Sequence, residues 1–169
     1  MKKYVAFLRA VNVGGTGQIP MSELKNICDE LGFLSAKTYI ASGNVLFKSN
    51  LEADEVKQLL EAKLEEYFGK YCETYIKTSL ELVDIIDENP FKDHKPNRVI
   101  CYFLNQMPND ALLGVKNQKD EEIIKTKSAI FIHYGEGMAA TKLQTPWLKS
   151  ATGRNINTIS KICELLQQI

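Results

Sequence analysis

Two short segments set the tightest limit on the fold. YVAFL (4–8) and VLF (45–47) are apolar at every position, as strands buried on both faces are. AKTYIA (36–41) and CETYIK (72–77) mix polar with apolar residues, as half-exposed strands do. Between the first two strands, residues 20–31 place Met21, Leu24, Ile27, Cys28 and Leu31 at helical spacing. Pro20 suits the first turn of that helix, and Gly32 suits its end. Residues 52–68 make a second helix with Val56, Leu59, Leu60, Leu64, Tyr67 and Phe68 facing inward. The order is β-α-β-β-α-β, the ferredoxin-like or α-β plait. In that topology the first and third strands are central and the other two are edges, which matches the apolar pattern. Residues 1–88 are expected to form this subdomain. Thr78 and Glu81 would cap a short helix ending near Asn89–Pro90.

The stretch ENPFKDHKPN (88–97) has two prolines and many polar residues, and 89–97 reads as a linker. The pattern then restarts. Val99–Leu104 and Ala129–Tyr134 are apolar on both faces, and Glu122–Thr126 is a mixed strand. Helices are predicted over Asn109–Val115, Thr141–Lys149 and Thr158–Gln168. The fold class is therefore α+β: two ferredoxin-like subdomains, the second (98–169) with a modified C-terminal end. A plait's helices cover one sheet face only. The apolar open face needs a cover from the other half or from a second chain, so a homodimer is one expected arrangement.

Charge and cysteine usage narrow the function. Twenty-one basic and 21 acidic residues balance to zero, which argues against bulk nucleic-acid binding. The apolar runs are too short to cross a membrane, and the one near the N-terminus stops at Arg9, so no secretory signal is expected. The four cysteines (28, 72, 101, 163) show no C-x-x-C spacing, and there are two histidines. No metal site and no cofactor are expected from that pattern. His133 reads as a core residue of a strand, and His94 as a solvated one. Buried free thiols fit a reducing, cytoplasmic location.

Three polar clusters remain as candidate sites. RAVNVGG (9–15) follows the first strand. Its glycines either permit a turn or let backbone N–H groups cradle an anion ahead of a helix N-terminus. It lacks the endings of the phosphate-binding glycine motifs. SGN (42–44) reads as a two-residue hairpin turn. The plait places both clusters at one end of the sheet, so Arg9, Asn12, Gly14, Gly15, Ser42, Gly43 and Asn44 would share a rim. ATGRNINT (151–158) either caps the last helix or adds Arg154, Asn155 and Asn157 to a binding loop. Two of only three arginines fall in these clusters, and arginine suits bidentate recognition of carboxylate or phosphate. The expected ligand is a small anionic or phosphorylated molecule. No nucleophile–base arrangement can be argued from spacing, so any catalysis would rest on electrostatic stabilisation. The rival reading is a homodimeric interaction module whose polar motifs only set turns and caps.

LRAVNVGG (8–15), IPMSELK (19–25), TYIASGNVLF (38–47) and TGRNINTISKICEL (152–165) resemble the motifs of a widespread bacterial family catalogued as a domain of unknown function. The resemblance runs nearly the full chain and implies two ferredoxin-like subdomains. It implies no activity, cofactor or substrate. In the last motif, relatives usually carry an aromatic where this chain has Ile156.

Overall fold

The computed structural model describes residues 1–14 and 17–169. It divides into two units, Met1–Leu82 with Ile162–Ile169, and Val83–Lys161.

In the first unit, β1 (Lys2–Leu8), β2 (Leu34–Thr38), β3 (Asn44–Ser49) and β4 (Thr74–Thr78) form an antiparallel sheet of order β2-β3-β1-β4. The two all-apolar strands are the central ones, as the pattern predicts. Helices α1 (Met21–Glu30) and α2 (Ala53–Phe68) connect them. Tyr4, Ala6, Leu8, Val45 and Phe47 bury one face of the sheet against Leu24, Cys28, Val56, Leu60 and Leu64. Phe33 stacks on Phe47 with ring centroids 4.5 Å apart. Each such aliphatic or aromatic side chain contributes about 1.5–3 kcal/mol by leaving water. Val5, Phe7 and Leu46 on the opposite face have no accessible surface.

Local signals account for most element ends. Gly32 (φ 75°) follows α1 in the left-handed region that glycine adopts readily. The Thr78–Glu81 capping box forms: Glu81 N–H donates to Thr78 Oγ1 at 3.2 Å, and Thr78 N–H to Glu81 Oε2 at 2.7 Å. It opens α3 (Ser79–Glu88). In α2 the buried stripe is Val56, Leu60 and Leu64. Leu59 and Tyr67, expected inward, are substantially exposed, because a helix presents a stripe narrower than its apolar residue count.

The second unit repeats the sheet without the connecting helices. Strands β5 (Val99–Phe103), β6 (Glu121–Lys125), β7 (Ile130–Tyr134) and β8 (Thr152–Asn155) take the order β6-β7-β5-β8. This corresponds strand for strand to the first sheet. The helices predicted over 109–115 and 141–149 are absent. Those stretches hold turns, short 3-10 segments and a bridge between Lys116 and Gln144. They still supply the cover: Ala111, Leu143 and Trp147 pack on Tyr102, Ile130, Ile132 and Tyr134. The modification therefore lies in both connections as well as near the C-terminus. Helix α4 (Ile156–Gln168) follows β8.

Two domain boundaries differ from the sequence reading. Ile162–Ile169 belongs with the first unit, and Val83–Glu88 with the second. Helical periodicity identifies buried positions but not the sheet they meet. In the 89–97 stretch read as a linker, Asn89 and Phe91 are buried and residues 92–97 are exposed. The Phe91 N–H donates to Asn89 Oδ1 at 3.0 Å.

Candidate functional site

The sheet order brings two of the three polar clusters together. Leu8 N–H donates to Gly43 O at 2.8 Å, and Asn12 Nδ2 donates to Ala41 O at 2.8 Å. The 9–14 and 42–44 segments thus share one end of the first sheet. Gly15 lies outside the described residues.

Most members of that rim hold the backbone. Asn12 accepts from Ile19 N–H at 2.9 Å and donates to Ile19 O at 3.0 Å. With the bond to Ala41, its amide closes the 9–19 loop onto the β2–β3 turn. Asn44 is fully buried, and its Nδ2 donates to Tyr39 O at 2.9 Å and Ser42 Oγ at 3.0 Å. Asn44 opens β3 opposite Phe7, and Tyr39 N–H donates to Asn44 O at 3.0 Å. The turn therefore spans 40–43 and is not the two-residue Gly43–Asn44 hairpin read from the sequence. Four residues fit because Asn44 satisfies the groups that a tight turn would pair. Gly43 (φ 77°) is buried against Val11 and Leu8. Gly14 (φ 46°) faces open space.

Arg9 differs from these scaffolding residues. Its backbone N–H continues the β1–β4 ladder to Glu73 O at 2.9 Å. Its side chain lines a pocket of about 230 Å³ with Ala10, Val11, Gly17, Phe68, Lys70, Tyr71, Cys72 and Glu73. Ala10 holds φ 53°, and Asn12 φ 55°. Such left-handed non-glycine residues are costly and persist where surrounding structure imposes them. Here the Asn12 bonds impose them, and Ala10 lines the pocket. The wall is two cations, one carboxylate and an apolar side of Val11, Phe68 and Cys72.

The remaining pocket groups are poor nucleophiles. Burial, then the nearby Glu61 carboxylate, pushes the Cys72 thiol up to about 11. Burial, then its hydrogen bond to Glu61, pushes the Tyr71 hydroxyl up to about 12. Both stay protonated at neutral pH, so the pocket offers charge and shape in place of a thiolate or phenolate. All four cysteines are buried and outside any disulfide, and burial pushes Cys28 up to about 12. A thiol-specific aromatic disulfide reagent at pH 7.5 is expected to label none of them in the folded protein and all of them in guanidinium. Rapid labelling of Cys72 in the native state would contradict this environment.

The third cluster lies in the second unit and is not a loop. Arg154 and Asn155 belong to β8, paired with Cys101 and Ile100 of β5. Arg154 is buried, and its guanidinium donates to Thr152 Oγ1 and Gly153 O, both at 2.9 Å. Burial lowers its affinity for a proton. Asn155 Oδ1 accepts from Asn157 N–H at 2.9 Å, which is the N-cap bond of α4. The capping alternative describes Asn155. Asn157 is exposed and lines a pocket of about 230 Å³ with His94, Lys92 and Phe91 among others.

Sequence reading missed Phe68, Lys70, Tyr71, Cys72 and Glu73. The plait topology contains the signal: antiparallel β4 enters the sheet beside the exit of β1, so residues just before β4 must face Arg9.

The family model described as a protein of unknown function, DUF1697, matches residues 1–131. The structure of a conserved bacterial protein from Streptococcus pneumoniae superposes with a TM-score of 0.80 at 23% identity, covering 98% of each chain. That likeness extends the two-subdomain fold over nearly the whole chain. No curated protein matches the sequence. Among the described residues no helix is long and apolar enough to cross a membrane.

Proposed function

We propose that this chain, which belongs to the DUF1697 family of proteins of unknown function, binds a small phosphorylated or carboxylated molecule in the Arg9 pocket. The observation that carries the reading is the convergence of Arg9 and Lys70 on one concave site with an apolar wall. Arg9, Lys70 and Glu73 leave an excess of one positive charge there. A guanidinium offers paired N–H donors to a carboxylate or phosphate, and an ammonium adds a point charge. Phe68 and Val11 would take an apolar or ring portion of the ligand. The volume is below the usual range for drug-sized ligands, which favours a small metabolite over a dinucleotide. Asn12, Gly43 and Asn44 serve the site by holding the loop that presents Arg9.

The test is thermal stability and calorimetric titration with inorganic phosphate, a phosphorylated sugar and a nucleoside monophosphate. Saturation at about a hundred times Kd stabilises by about 2.7 kcal/mol, which raises Tm by roughly 5–10 °C. Arg9→Ala is expected to abolish the rise, and Lys70→Ala to reduce affinity about tenfold. No stabilisation of the native protein at millimolar ligand, or an undiminished response of Arg9→Ala, would overturn the assignment.

A further inference from the structure

The chain's two histidines meet in the second unit. His94 lies in the exposed segment 92–97 before β5, and His133 in β7. Their ring centroids are 4.0 Å apart. The β6–β7 register sets Glu122 directly opposite His133, with Oε1 3.3 Å from Nδ1. Phe91 flanks both rings, at 5.7 Å from His94 and 5.6 Å from His133. One donor atom from each of His94, Glu122 and His133 lies within 4.8 Å of the other two. The segment before β5 and two consecutive strands thus carry two imidazoles and a carboxylate to one point.

We propose that His94, Glu122 and His133 bind a divalent transition-metal ion of the zinc type. Two imidazole nitrogens and one carboxylate oxygen form a protein ligand set characteristic of open zinc sites. With metal–ligand bonds of about 2.0–2.1 Å, two ligands of one tetrahedral ion stand roughly 3.3 Å apart. The Glu122–His133 edge already has that separation. His94 has the remaining gap to close. His94 and Glu122 are exposed and able to adjust, whereas His133 is buried and anchors the site. The imidazoles select zinc, cobalt, nickel or copper over magnesium and calcium, which prefer oxygen ligands. Three protein ligands leave a fourth position for water or an added anion. A His133–Glu122 hydrogen bond alone explains one edge of the cluster, but not the second imidazole set against the first.

The test uses the untagged, full-length, chelator-treated protein, so that these histidines are the only ones present. Zn²⁺ is titrated by calorimetry, and Co²⁺ by visible absorption. The expected result is a single saturable equivalent, with cobalt bands of low-symmetry four- or five-coordinate intensity. His94→Ala and Glu122→Ala change exposed side chains, so the fold is expected to survive, as circular dichroism would verify. Each is expected to weaken binding by more than about tenfold. Absence of saturable binding at millimolar Zn²⁺ overturns the proposal, as does wild-type affinity in folded His94→Ala or Glu122→Ala.

Discussion

Replacing Gly43 with alanine is expected to destabilise the protein by about 2–4 kcal/mol and to lower Tm by roughly 5–15 °C. Two costs combine. Gly43 sits at φ 77°, where an L side chain costs about 1–2 kcal/mol. An added Cβ would also collide with the Val11 side chain and lie 3.0 Å from Leu8 Cβ. Both neighbours are buried, so neither yields without opening the core, and overpacking costs about 1–3 kcal/mol. Gly14 provides the control. Its φ is 46°, but a Cβ there meets open space, so Gly14→Ala carries only the backbone cost. Urea denaturation of the two variants separates the contributions, and equal losses would contradict the packing described around Gly43. Val11 also lines the Arg9 pocket, so Gly43→Ala is expected to weaken anion binding without touching a charged residue.

Trp147→Ala is expected to cost about 3–5 kcal/mol and to unfold the second unit first. That unit lacks the two connecting helices of a plait, so Trp147 does much of the covering. Its ring is buried and packs edge-on against Tyr102, with centroids 5.6 Å apart. Its Nε1 donates to Ala111 O at 2.9 Å, which ties the 104–120 connection to the 135–151 connection. Trp147→Phe keeps most of the apolar burial and loses the hydrogen bond, for a cost of about 1–3 kcal/mol. Circular dichroism in urea distinguishes the two variants. A Trp147→Ala loss no larger than that of Trp147→Phe would show that the ring carries less of this core than its position implies.

The sheets were legible in the sequence because burial on both faces leaves a composition signal. YVAFL and VLF could sit only in the middle of a sheet, and the order β2-β3-β1-β4 follows. The same signal at 99–104 and 129–134 located β5 and β7. The connections of the second unit were not legible. Apolar residues at Leu112, Leu143 and Trp147 suit a helix stripe, yet Gly114 at φ 75° and Pro146 inside these stretches, with competing turns, leave irregular backbone there. Strand β8 was hidden because Thr152–Asn155 has the composition of a cap, and only the open edge of β5 makes it a strand. Of the candidate site, the shared rim was readable from topology, whereas the division of labour within it was not. Asn12 and Asn44 look like ligand contacts in a sequence; in the structure their amides bond to Ile19, Ala41, Tyr39 and Ser42. The His94–Glu122–His133 cluster depends on strand register and on the path of the segment before β5, and neither is written in residue spacing.

Amide chemical-shift mapping by NMR, with inorganic phosphate or methyl phosphate titrated into the ¹⁵N-labelled protein, tests the central claim most directly. Saturable shifts concentrated at residues 9–11, 17 and 68–73, and absent in Arg9→Ala, are the predicted result. Shifts that fail to saturate, that centre on the Arg154 strand, or that persist without Arg9 would contradict it.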